Sequence, residues 1–185
     1  MNKSVASIGA LALLISLTLT GCSGQSKPET SPSTNNEVEV DVPDSEIPVE
    51  DSFVDGVLTT SDLTITITDY KVIPVGGVGN EYGEVPVLAI WYETKNLGTS
   101  DRDITPGEFL WEFEAFQDNN PDFENQLEVG LHPDDSLLDT QDAIIKAGRT
   151  LENAFSYELS DTITPVELVA GRFGDEIGRM TFNLK

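Results

Sequence analysis

From Phe53 onward the chain reads as all-β, an antiparallel sandwich, on three grounds. β-branched and aromatic residues alternate with polar ones in short runs, and Gly, Pro, Asp or Asn recur between those runs. No long segment carries the apolar period of a helix. About seven such strands within about 130 residues match an immunoglobulin-like β-sandwich. The chain has a single cysteine, so it lacks the disulfide of antibody domains.

Leu63-Thr64-Ile65-Thr66-Ile67-Thr68 alternates strictly, with three aliphatics on one face and three threonines on the other, the pattern of a half-buried strand. Pro74 to Asn80, rich in glycine, ends it as a flexible connection. Val87 to Tyr92 is apolar on both faces and predicts a central strand covered on each side. Phe109 to Phe116 alternates again, with Phe109, Trp111 and Phe113 on one face and Glu112 and Glu114 on the other. Thr150 to Leu159, Val166 to Val169 and Met180 to Leu184 complete the set, and Ala143 to Lys146 is too short to assign.

The segment before the sandwich has a different logic. Lys3 supplies a positive start, Ala6 to Thr20 form an uncharged, mainly apolar run, and Leu19-Thr20-Gly21-Cys22 ends it. That run falls short of the ~20 residues that a bilayer crossing needs. Leu19 to Cys22 resembles the lipobox of bacterial prolipoproteins. The resemblance implies a signal peptide over 1–21, cleavage between Gly21 and Cys22, and a diacylglyceryl (palmitate-bearing) anchor on the Cys22 thiol. Residues 22–52 then form a linker, and 53–185 the folded domain. The linker is rich in Ser, Thr, Asn and Pro, and from Glu37 to Asp51 it carries seven acids and no Lys or Arg. Too little apolar surface is present to offset ordering entropy, so a disordered acidic tether is expected. The alternation Val38-Glu39-Val40-Asp41-Val42 is its one strand-like pattern.

Composition narrows the function classes. The 185 residues include 33 acids against 10 Lys and Arg, a formal charge of −23. Such a chain repels phosphate backbones, so no nucleic-acid partner is expected. One histidine and one cysteine, the latter taken up by the lipid, leave few parts for nucleophilic catalysis, and no Gly-x-Ser-x-Gly elbow occurs. No catalytic residue is assigned. Gly76-Gly77-Val78-Gly79 lacks the Lys-Ser/Thr of a phosphate loop. Glu112 and Glu114 have the spacing of a glycosidase pair but read as ordinary acids on a solvent face. Trp91, Trp111, Tyr70 and Tyr157 could form a sugar-stacking platform, though a disulfide-free sandwich needs such rings first for its core.

Two acidic loops are candidates for metal. Asp118, Asn120, Asp122 and Glu124 stand at every second position, and hard oxygens so spaced can converge on Ca²⁺. Phe123 and Val129 replace the glycine and glutamate of an EF-hand. Asp134 and Asp135 follow His132-Pro133 on an apparent long loop, and a shared site would require the two loops to overlie each other. The competing reading, a solvated acidic surface, needs no cofactor.

Val87-Leu-Ala-Ile-Trp-Tyr-Glu-Thr-Lys-Asn96, Phe113-Glu-Ala-Phe-Gln-Asp118, Ala154-Phe-Ser-Tyr-Glu-Leu159 and Thr164-Pro-Val-Glu-Leu168 resemble an uncharacterised immunoglobulin-like domain family. It is a domain of unknown function in cell-surface lipoproteins of low-GC Gram-positive bacteria. The resemblance spans Leu63 to Lys185 and implies the fold and an extracellular place at the cell membrane. It brings no activity. The expectation is a lipid-anchored, non-catalytic binding or accessory module of the envelope, its partner an unknown protein or glycan. A calcium-responsive surface binder is the main alternative, with an inhibitor or an envelope hydrolase behind it.

Overall fold

The computed structural model of the chain describes residues 50–172 and 175–184. Cys22, Gly21 and the tether up to residue 49 lie outside them. The strands are β1 (Ser52–Val54), β2 (Val57–Thr59), β3 (Leu63–Ile73), β4 (Val87–Asn96), β5 (Phe113–Gln117), β6 (Asn125–Gln126), β7 (Thr150–Glu158), β8 (Val166–Arg172) and β9 (Asp175–Phe182). A four-residue helix, α1 (Phe109–Glu112), precedes β5. All pairings are antiparallel, in one sheet ordered β1-β2-β3-β4-β7 and another ordered β6-β5-β8-β9. The predicted sandwich is thus present: among the described residues it has nine strands where about seven were expected, and three of them, β1, β2 and β6, are very short.

Residue alternation decides what each sheet buries. Along β4, Leu88, Ile90 and Tyr92 enter the main core between the sheets. Val87 and Ala89 instead pack with Ile73 in a second cluster on the outer side, against which Trp91 rests. The strand is apolar on both faces because both are covered. A register shift between Ile67 and Asp69 lets β3 serve both layers: Leu63 and Ile65 lie in the main core, whereas Ile73 joins the outer cluster.

One expected strand is different. Phe109 to Glu112 is helical, preceded by a 3₁₀ turn at Pro106–Glu108. Phe109, Glu112 and Phe113, three and four residues apart, are all buried, which is the spacing of a helix and not of a strand. Phe109 stacks on Tyr92 at 4.4 Å and meets Phe113 and Phe155 at 4.6 and 5.2 Å. The Tyr92 hydroxyl donates to the Pro106 carbonyl at 2.9 Å, tying the turn to β4, and burial, followed by the nearby Tyr157, pushes its pKa well up.

The long β6–β7 connection closes one side of the sandwich. The Glu158 N–H donates to the Glu128 carbonyl at 2.8 Å and the Gly130 N–H to the Ser156 carbonyl at 2.9 Å, so β7 is not a bare edge. On the other side β1 packs along β9. At one end the connections β3–β4, β5–β6 and β7–β8 gather: Leu159 donates to the Pro86 carbonyl at 2.8 Å, and Asn119 bonds Ser160 and Asp161.

Candidate functional site

The outer face of the β6-β5-β8-β9 sheet carries a groove of about 820 Å³. Phe113, Ala115 and Gln117 of β5 point inward and are buried, so Glu114 and Phe116 point out. On β8 Val166, Leu168 and Ala170 are buried, which leaves Glu167 and Val169 outward. The register sets Glu114 opposite Val169 and Phe116 opposite Glu167. Val169 in turn faces Arg179 on β9. Phe116 and Val169 therefore form an apolar diagonal on the groove floor, crossed by that of Glu114 and Glu167.

Helix α1 supplies one end of the groove. With Phe109 and Glu112 turned into the core, Leu110 and Trp111 are thrown out, 46% and 72% exposed. A tryptophan this open is unusual, because its large apolar surface is normally put to use in a core or an interface. Asp118 and Glu124 of the β5–β6 loop stand at the other end. Arg179 is held in the groove wall by Glu167 and, at 2.6 Å, by Glu176. Hydrogen bonding by these two raises the Arg179 pKa, and the same guanidinium lowers that of Glu176. Among the described residues, six carboxylates (Glu114, Asp118, Glu124, Glu167, Asp175, Glu176) and one guanidinium line the groove, a formal excess of five negative charges.

The metal candidates are not brought together. Asp118 and Glu124 line the groove, and Asn120 accepts from the Asp122 N–H at 2.9 Å within a local turn. Asp134 lies instead beside Trp91, outside the other sheet, where it accepts from the indole N–H at 3.1 Å and from the Ser136 hydroxyl at 2.6 Å. The Ser136 bond, followed by the Trp91 bond, lowers its pKa. Asp135 is exposed. The sandwich core thus separates the two clusters, which corrects the idea of a shared site. Among the described residues no group of three or more His, Cys, Asp or Glu side chains could hold a metal ion.

The other sequence candidates resolve as follows. Glu112 is buried and Glu114 exposed, so they are not a pair on one strand face, because Glu112 belongs to a helix. His132 bonds Asn153 through Nε2 at 3.0 Å and accepts the Asp134 N–H at Nδ1. With Nδ1 accepting, Nε2 carries the proton, and the ring fastens the long connection to β7. Gly79 donates its N–H to the Glu81 carboxylate at 3.0 Å, so this glycine loop already holds its own anion. Of the four proposed stacking rings, Tyr157 is buried, with its hydroxyl on the Phe113 carbonyl at 3.2 Å. Trp91 is half-buried under Lys71, and Tyr70, 39% exposed, leans on Phe182. Trp111 is the one left largely open. The sequence did carry a sign of this, since Thr105-Pro106-Gly107-Glu108 has the Thr-x-x-Glu and Pro spacing of a helix start.

No curated protein matches the chain. Two solved structures are similar to it in fold. One, described as "a putative lipoprotein" from Staphylococcus aureus subsp. aureus NCTC 8325, has a TM-score of 0.61 at 16% identity, over 73% of this chain and 92% of that one. The other, a protein from Enterococcus faecalis, has a TM-score of 0.53 at 16% identity, over 73% and 94%. The family match covers residues 32–171, most of the chain, and takes in α1, β5 and most of β8, but not β9, which supplies Asp175, Glu176 and Arg179 to the groove. On that match the chain belongs to the family of the domain of unknown function DUF5067.

Proposed function

We propose that this protein is a lipid-anchored, extracytoplasmic module that binds an extended ligand along the Trp111 groove and performs no chemistry on it. The observation that carries the binding reading is the groove itself: an open indole and an apolar floor, about 820 Å³, on a rigid sheet. Its length follows β5, and five strand residues at ~3.3 Å each suit a chain-like ligand better than a compact one. The anchor reading rests on Leu19 to Cys22 and is supported by the description of the staphylococcal neighbour. The non-catalytic reading is supported by the separation of Glu112 from Glu114 and by the structural employment of His132.

Both parts have direct tests. In cells, Cys22→Ala should abolish palmitate labelling and release the protein from the membrane fraction; an unchanged membrane partition would sink the anchor. For the groove, the full chain in non-ionic detergent is mixed with envelope fractions while tryptophan emission is followed. An occupied groove should move the emission to shorter wavelength in the native chain and not in Trp111→Phe, which keeps only the half-buried Trp91. A shift that persists in Trp111→Phe would place binding elsewhere.

A further inference from the structure

We infer that the groove takes a cationic, amphipathic peptide segment, an extended run in which lysine or arginine side chains accompany aliphatic ones. The inference rests on the groove reading above and adds the class of ligand. Three features converge on that class. Among its described residues the wall carries six carboxylates against one guanidinium, and that guanidinium is already paired to Glu167 and Glu176. An incoming cation therefore meets an uncompensated negative field, focused by the concavity. The floor of Phe116 and Val169 accepts aliphatic groups, which a purely ionic ligand such as a metal would leave unused. The open Trp111 ring offers a face to an ammonium or guanidinium at the helical end.

The tether is a poor occupant: its one cation, Lys27, is offset by Glu29 two residues on. From Glu37 to Asp51 the tether bears only acids among its charged residues, so the groove would repel it. A second copy, at −23, brings the same sign. The cation must come from another molecule, and steering by the field should make its capture fast and sensitive to salt.

The test uses the full chain in non-ionic detergent and three acetylated hexapeptides, alternating Lys-Leu, Ser-Leu and Glu-Leu, followed by Trp111 emission and by anisotropy of labelled peptide. The Lys-Leu peptide should bind saturably, weaken several-fold between about 50 and 200 mM salt, and lose about tenfold in affinity with Trp111→Ala. Glu114→Gln, Asp118→Asn and Glu124→Gln should each weaken it and flatten the salt dependence, whereas Asp135→Asn and Asp139→Asn, exposed on the long β6–β7 connection, should not. Equal binding of the Ser-Leu peptide would overturn the cationic class. Equal losses from the groove and the distant carboxylates would reduce the effect to net charge and also overturn it. If an envelope fraction still shifts Trp111 emission while the Lys-Leu peptide does not bind, the groove stands and the cationic class falls.

Discussion

Asp161 shows how much a single half-buried carboxylate can organise here. It accepts from the Asn119 amide at 2.9 Å, from the Thr164 N–H at 2.7 Å and from the Ile163 N–H at 2.8 Å, so it pins the β7–β8 turn to the β5–β6 loop. The Asn119 bond first, and the turn N–H groups after it, hold its pKa well below that of a free aspartate. A depressed folded value means the stabilisation is fully present above the unfolded value, about pH 4, and is lost as pH falls further. Asp161→Asn should therefore lower the melting temperature at pH 7, and the gap between the two proteins should close as pH falls below about 4. A gap that stays constant down to pH 2 would show that the carboxylate charge is irrelevant. None of this was legible in the sequence. Asp161 follows Ser160 in an ordinary polar turn, and its partner Asn119 stands in a loop where the neighbouring acids suggested a metal instead.

At the scale of elements, the long alternating strands could be read directly, because a half-buried sheet writes its period into the chain. The stretch from Phe109 to Phe116 could not. Phe109, Trp111 and Phe113 satisfy a period of two, and Phe109, Glu112 and Phe113 satisfy a helical one. Burial chose the second, since a helical turn places Phe109 among Tyr92, Phe113 and Phe155 and closes that end of the core. That choice ejects Trp111 and so creates the groove end. The β3–β4 loop shows a second kind of hidden constraint. Gly79 has φ +89° and lies so close to the β6–β7 connection that an added Cβ would stand 2.2 Å from the Pro133 carbonyl oxygen. Gly76, at φ +76°, has nothing within 4 Å. Gly76→Ala should cost about 1 kcal/mol, the left-handed strain alone, and Gly79→Ala distinctly more. Chemical denaturation of the two variants measures both; equal losses would mean that the long connection is not seated on that loop as described.

For the whole molecule, the sandwich settles what the acids can do together. Sequence proximity suggested that the loop at Asp118 and the loop at Asp134 might share an ion, but sheet topology sends one to the groove and the other to the outer side of the opposite sheet. Contacts of that kind depend on which strands pair, information that local composition does not hold. With a formal charge of −23 distributed over separate surfaces, self-repulsion is the collective consequence. Screening should relieve it, so the melting temperature of the full chain should rise as NaCl goes from about 10 to 200 mM, where the Debye length shrinks from roughly 30 Å to below 10 Å. CaCl₂ at matched ionic strength discriminates between diffuse and site-bound charge. Scattered carboxylates respond to screening and give nearly the same rise for both salts, whereas converged oxygen ligands would add a saturable increment for calcium, about 2.7 kcal/mol at a hundredfold excess over Kd. The separation of Asp118 from Asp134 predicts the first result, and a saturable calcium increment that disappears with Asp118→Asn or Asp134→Asn would show that the loops rearrange to build a site this fold does not display.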